Sequence, residues 1–241
     1  LETQILKDRF LVLLLSFLLV IVFWGAFEQA GGLMNIYASE KTDRTLSFAL
    51  PFIGNEVPAS WFQSLNAMFI ILLGTTVAGF WAKRKLKGKT ATSLFKMIMG
   101  LIIMGSGFFF MTAASAQFQA NGASAMYWLV LAYLFHTVGE LCLSPVALSY
   151  ITKLAPLKYA SIMMGVYFAM TGFGNKLAGL LGEASEDLGE YTIFTGIAIF
   201  CVIFGFLVML FRKRLEKLTH GAEDNEHVIH DEAEGLELAE N

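Results

Sequence analysis

Hydrophobic and polar positions alternate along this chain on the scale of whole helices. Long apolar runs with few charges are separated by short polar connections. Six runs can each cross the ~30 Å of bilayer hydrocarbon, which takes about 20 helical residues. They cover 10–37, 59–82, 92–117, 125–153, 159–182 and 191–212. In lipid the backbone must satisfy its own hydrogen bonds, so each run is predicted to be a helix. Residues 1–9 form a lead-in and 213–241 an acidic tail. The first run contains FLVLLLSFLLVIVFWGAFEQ and is longer than the hydrocarbon is thick. It should tilt, or unwind near Gly31 and Gly32. The predicted class is an all-α membrane protein of six transmembrane helices.

Composition supports this class. Hydrophobic residues make up 56% of the 241 positions and charged residues 15%, against about a quarter charged in soluble domains. Charge placement predicts orientation. Lys7 and Arg9 precede the first span, Lys83-Arg84-Lys85 with Lys87 and Lys89 follows the second, Lys153 and Lys158 flank the fourth turn, and Arg212, Lys213, Arg214 and Lys217 follow the last. The opposite connections hold Lys41 and Arg44, with Glu183, Glu186, Asp187 and Glu190 in the last of them. Basic loops stay inside, so both ends are predicted to be cytoplasmic. Cys142 and Cys201 lie in apolar runs and read as inert buried thiols. His220, His227 and His230 belong to the acidic tail, which reads as solvated and disordered, not as half of a metal site. The chain opens on Leu1 with no secretory signal pattern, as expected of part of a longer protein.

Candidate chemistry comes from polar groups inside the spans. A charge at mid-span costs ~2.5–3.5 kcal/mol on the insertion scale, so it should face a partner or a wet cavity. Glu28, Glu140 and Lys176 are in this position, whereas Lys96 can snorkel. Glu140 lies near mid-span, with His136 one turn before it and Ser144 one turn after, on a common face. Pro145 removes a backbone hydrogen bond, so a kink is expected there. Glu140, Ser144 and the bend suit a gate lining a cavity, the alternative being a packing kink with Glu140 held in a structural hydrogen bond, while His136 reads as a satisfied interior histidine. Glu28 lies ~27 Å up the first helix. Its partner is predicted to be either Lys176 or a cation outside this chain, and without one it could carry a proton. Gln63 and Asn66 open the second span as candidates for substrate binding or helix contact. The first and fourth spans each carry an interior glutamate beside an interruption, a weak sign of the repeats that place transport sites at the midplane. No nucleophile–base pair, metal-ligand spacing or nucleotide loop is present, so an enzyme is not expected.

WLVLAYLFHTVGELCLSPVALSYITKLAP, residues 128–156, closely resembles the tenth helix of proton-coupled oligopeptide transporters of the major facilitator superfamily. FWGAFEQ is similar to that family's seventh helix, PASWFQSLN to the start of its eighth and MMGVYFAMTGFGNKLAG to its eleventh. The resemblance covers nearly all of residues 8–212. It implies the C-terminal six-helix half of a bacterial-type member, working with an N-terminal half in the cytoplasmic membrane among lipid, without nucleic acid.

The resemblance also implies roles. Glu140 faces the amino group of a bound di- or tripeptide, Asn66 assists, and Ser144, Trp24 and Tyr167 line the pocket. Glu28 couples to the proton, the only coupling agent expected, with no other cofactor. Pro145 belongs to the gate. Two departures bear on selectivity: Ala67 follows Asn66 where proline is common, and Tyr167 stands where many members have tryptophan. The implied activity is proton-driven peptide symport by alternating access. The alternatives are a same-fold carrier of nitrate, a glycoside or another solute, and a receptor that binds peptide without moving it.

Overall fold

The computed structural model describes residues 2–51 and 54–223. The first span is helix α1 (Glu2–Phe27), a 3-10 turn (Glu28–Ala30) and, past Gly31 and Gly32, helix α2 (Leu33–Glu40). Then come α3 (Ala59–Leu86), α4 (Ser93–Asn121), α5 (Met126–Leu154), α6 (Ala160–Leu188) and α7 (Glu190–Leu218). At 1.5 Å per residue, each of α3 to α7 is about 42 Å long, more than the hydrocarbon thickness. Among the described residues, the Thr3–Glu40 unit, α3, α4, α5 and α7 are both long and apolar enough to cross a membrane. Helix α6 matches them in length, but Asn175, Lys176, Glu183, Glu186 and Asp187 lower its apolar content. The tail residues His227 and His230 lie outside the described residues.

Two short sheets sit at the end opposite the basic connections. Strand β1 (Thr42–Asp43) pairs in parallel with β4 (Ser124–Ala125), and β2 (Thr45–Leu50) pairs antiparallel with β3 (Gly54–Glu56). Arg44 reaches from this hairpin to Glu56 at 2.6 Å and to the Val57 carbonyl at 2.6 Å. The Thr45 hydroxyl and amide donate to Asp43 and hold its carboxyl below the usual carboxylate range. Lys41 bridges to Glu190 at the start of α7, at 2.5 Å.

Helix α4 is the axis of the bundle. Met97, Leu101, Met104, Phe108 and Met111 recur at helical spacing and are fully buried between α5 and α7. The helices α4 and α5 come closest at Gly100 and Gly139. A methyl group on either glycine would lie 2.6 Å from the other's carbonyl oxygen. Only glycine permits this backbone approach, and it places Glu140 one residue from the contact. On the other side of the bundle α1 crosses α6, where a methyl group on Gly174 would lie 2.8 Å from Trp24 Cβ. The helices α3 and α6 are the least covered. Of 28 residues in α3, only Phe62 and Trp81 are buried.

The expected interruptions do not fall symmetrically. The first span breaks at its two glycines, but α5 runs unbroken through Pro145 from Met126 to Leu154. The proline ring lies on an exposed side of α5. One missing amide there leaves the flanking turns free to stay helical, whereas consecutive glycines remove the conformational bias of two residues. The broken end of α1 is held from two sides. The Tyr133 hydroxyl donates to the Ala30 carbonyl at 2.9 Å, and the Gln29 amide donates to the Ala178 carbonyl at 3.0 Å. Backbone groups freed inside a membrane need such partners.

At the basic end, Arg9 closes the bundle. Its Nε donates to the Thr219 carbonyl at 2.9 Å and Nη2 donates to that of His220 at 3.3 Å, while the His220 ring meets Asp8 at 2.7 Å. Glu216 and Glu223 accept from the Thr92 hydroxyl and the Ser93 amide at the start of α4. Both cysteines are buried and free.

Candidate functional site

The predicted site residues fall into two groups joined by the bundle core. In the first, the side-chain amide of Asn66 on α3 donates to Glu140 Oε2 on α5 at 2.8 Å. The same nitrogen lies 3.1 Å from the Thr137 hydroxyl, which donates to the Tyr133 carbonyl at 2.7 Å. Asn66 thus has its orientation set by two acceptors on one face of α5. Glu140 and Asn66 are both half-buried, and Ser144 is half-buried one turn further along α5. No cation lies within 4 Å of Glu140 among the described residues, so its charge is met by a neutral amide alone. A carboxylate held this way retains the capacity to bind an ammonium group.

Thr137 was not singled out from the sequence, although a signal for it existed. It lies three residues before Glu140 and therefore on the same helical face.

His136 does not share this site. Its ring is buried against Phe108, with ring centroids 4.4 Å apart, and lies near Phe27 and Gly107. Neither ring nitrogen has a hydrogen-bond partner among the described residues. Four residues overshoot a full helical turn by about 40°. That rotation carries His136 to the α4 side while Glu140 meets α3.

The second group lies along α1 and α6. Trp24 packs edge-on against Phe23 and Phe27, with centroids 5.5 and 5.3 Å away, beside the α6 crossing. Tyr167 is buried on α6, and its carbonyl accepts from the Thr171 hydroxyl at 3.2 Å. Glu28 occupies the 3-10 turn at the break and lines a cavity of about 800 Å³ that also holds Glu40, Asn175, Glu183, Glu186 and Glu190. The pairing of Glu28 with Lys176 is not formed. Lys176 is on the exposed side of α6, and no carboxylate lies within 4 Å of it among the described residues. The reason is rotational: Gly174 and Ala178 face α1, which turns position 176 away. Gln63 is exposed on α3 close to Gly31. Among the described residues no group of three His, Cys, Asp or Glu side chains could hold a metal ion.

Residues 5–193 match the model of the POT family. The chain is 34% identical to the peptide transporter YePEPT of Yersinia enterocolitica over 224 residues, 90% of this chain and 43% of that protein. It is 29% identical to a di-/tripeptide transporter of Lactococcus lactis over 203 residues, 84% of this chain and 40% of that one. A crystal structure of a peptide transporter POT in complex with sulfate superimposes with a TM-score of 0.79 at 28% identity, covering 89% of this chain and 42% of that one. The fold is therefore that of the major facilitator transporters of this group, and the chain spans about two fifths of the relatives it matches.

Proposed function

This chain belongs to the POT family, and on that premise we propose that it supplies the C-terminal half of a carrier moving di- and tripeptides with protons across the bacterial cytoplasmic membrane by alternating access. The observation that carries the reading is the Asn66–Glu140 pair. A peptide brings an ammonium group and a carboxylate about a peptide length apart. Glu140 takes the ammonium, Asn66 and Thr137 hold the acid in place, and Ser144 adds a hydroxyl on the same helix. Trp24 and Tyr167 wall the side-chain space. The peptide carboxylate falls to cations in the part of the carrier beyond this segment.

Glu28 carries the coupling proton. It sits at the break in the first span, where a change of charge acts on the weakest point of that helix, beside a cavity open to the acidic end. The basic connections support a cytoplasmic position for the opposite end. Opening and closing at that end uses the α5–α6 hairpin, with Pro145, whose missing amide weakens the otherwise unbroken α5, as the point where it bends during the cycle. Each positive charge carried inward gains ~2.3 kcal/mol per 100 mV.

The test is uptake of labelled dialanine by the full-length transporter in liposomes under an inward proton gradient. Glu140→Gln should reduce uptake at least tenfold while wild type accumulates the peptide. Normal uptake by Glu140→Gln would overturn the assignment. Transport of nitrate or a glycoside in place of dialanine by wild type, or dialanine binding without current, would overturn the substrate or the transport reading.

A further inference from the structure

The α3–α4 connection carries Lys83, Arg84, Lys85, Lys87 and Lys89 in one short stretch. The four lysines are exposed, and among the described residues no carboxylate lies within 4 Å of any of the five. The turn itself is held without an acid. The Lys89 amide donates to the Arg84 carbonyl at 3.1 Å, and Arg84 Nε donates to the Thr90 carbonyl at 2.7 Å. The Arg84 guanidinium also lies over the Phe95 ring, 5.2 Å from its centroid. Like charges this close repel one another, and an acidic segment beside them relieves the repulsion.

The path of the chain after α7 leads to this connection. His220 and Gly221 have φ of 49° and 72°, which reverses the chain just past Leu218. Arg9 holds the reversal through the Thr219 and His220 carbonyls. Glu216 accepts from the Thr92 hydroxyl, and Glu223 accepts from the Ser93 amide at 2.9 Å. Two acids from the end of α7 and beyond it therefore already sit where the basic connection runs into α4. Lys96, one turn into α4, lies within electrostatic reach of Glu223, Lys85 and Lys153 alike. Glu223, the last described residue, and the basic turn are thus neighbours.

Residues 224–241, DNEHVIHDEAEGLELAEN, lie outside the described residues. They hold seven carboxylates and no lysine or arginine. The segment opposes the connection in charge, starts beside it and is long enough to cover it. Its 18 residues can span up to ~60 Å, whereas Lys83 is ten residues of chain from Ser93, at most about 36 Å. A bilayer with anionic headgroups would attract the same lysines. The segment is tethered next to them, which gives it a high effective concentration at the turn.

We propose that residues 224–241 dock on the α3–α4 connection of the same chain, with their carboxylates paired to Lys83, Lys85, Lys87 and Lys89. The contact continues the one that Glu216 and Glu223 begin. It ties the basic end of α3, a helix that buries only Phe62 and Trp81, to the end of α7. It also covers cations that would otherwise meet headgroups. The contact needs no transported solute, so it goes beyond the peptide reading and does not rest on it.

The test is carbodiimide coupling of carboxylates to lysines in the full-length transporter in detergent, read by peptide mass spectrometry. Cross-links from 224–241 to Lys83, Lys85, Lys87 or Lys89 are expected at low salt. They should be lost at about 1 M salt, where the screening length is ~3 Å. Removal of 224–241 should raise the acetylation rate of these four lysines severalfold, and so should conversion of its acids to glutamine and asparagine. Cross-links only to lysines elsewhere in the transporter, or none at all, would overturn the proposal. In a mixture of isotope-labelled and unlabelled transporter, cross-links found only between copies would overturn it in favour of an intermolecular contact. Unchanged acetylation after removal, with the same lysines protected only in phosphatidylglycerol vesicles, would overturn it in favour of a lipid surface.

Discussion

Asn66 on α3 donates one side-chain amide hydrogen bond to Glu140 on α5 at 2.8 Å and approaches Thr137 at 3.1 Å. Helix α3 buries little else in this chain, so the asparagine does much to set where α3 stands relative to the carboxylate. Asn66→Leu keeps the volume and removes the donor. Apparent peptide affinity should fall about tenfold, equivalent to 1.4 kcal/mol. Binding measured by calorimetry on the full-length protein checks this. Unchanged affinity would mean that Glu140 needs no orienting partner.

Gly139 and Gly100 leave no space for a methyl group. Gly139→Ala should push α5 away from α4 and destabilise the protein by about 1–3 kcal/mol. Gly196→Ala on α7, where the added carbon meets open space, is the matched control. Thermal unfolding in detergent should show a lower midpoint for the first variant and little change for the second.

His136 is buried, and its two ring nitrogens lack partners among the described residues. Removing an unpaired buried polar group can be neutral or favourable. His136→Leu should therefore leave the thermal midpoint unchanged or raise it, with uptake within about twofold of wild type on the same reasoning. A fall of more than about 1 kcal/mol would show that the ring gains a hydrogen bond in another conformation of the carrier.

Glu28 lines the cavity beside the helix break and makes no ion pair with Lys176. Glu28→Gln should abolish accumulation driven by a proton gradient while sparing exchange of labelled for unlabelled peptide. Equal loss of both activities would place Glu28 in substrate binding or folding instead of coupling.

The sequence alone determined the helical class and the six runs, because in lipid a long apolar run has few alternatives to a helix. It also marked the break at Gly31 and Gly32, since two adjacent glycines lower the bias toward helix wherever they occur. Helical spacing did not determine which neighbour each polar residue meets. His136 and Glu140 looked like one face, but tertiary packing separated them, because a 40° rotation between adjacent turns is enough to reach a different helix. Lys176 and a cation outside this chain were equal candidates to pair with Glu28, and the α1–α6 crossing turned the lysine outward. The same packing recruited Thr137 and Tyr133, whose hydroxyls are ordinary in sequence and acquire roles only when α3 and the broken end of α1 are brought against α5. Helix formation is local, and the partners of buried polar groups depend on contacts between residues far apart in the chain.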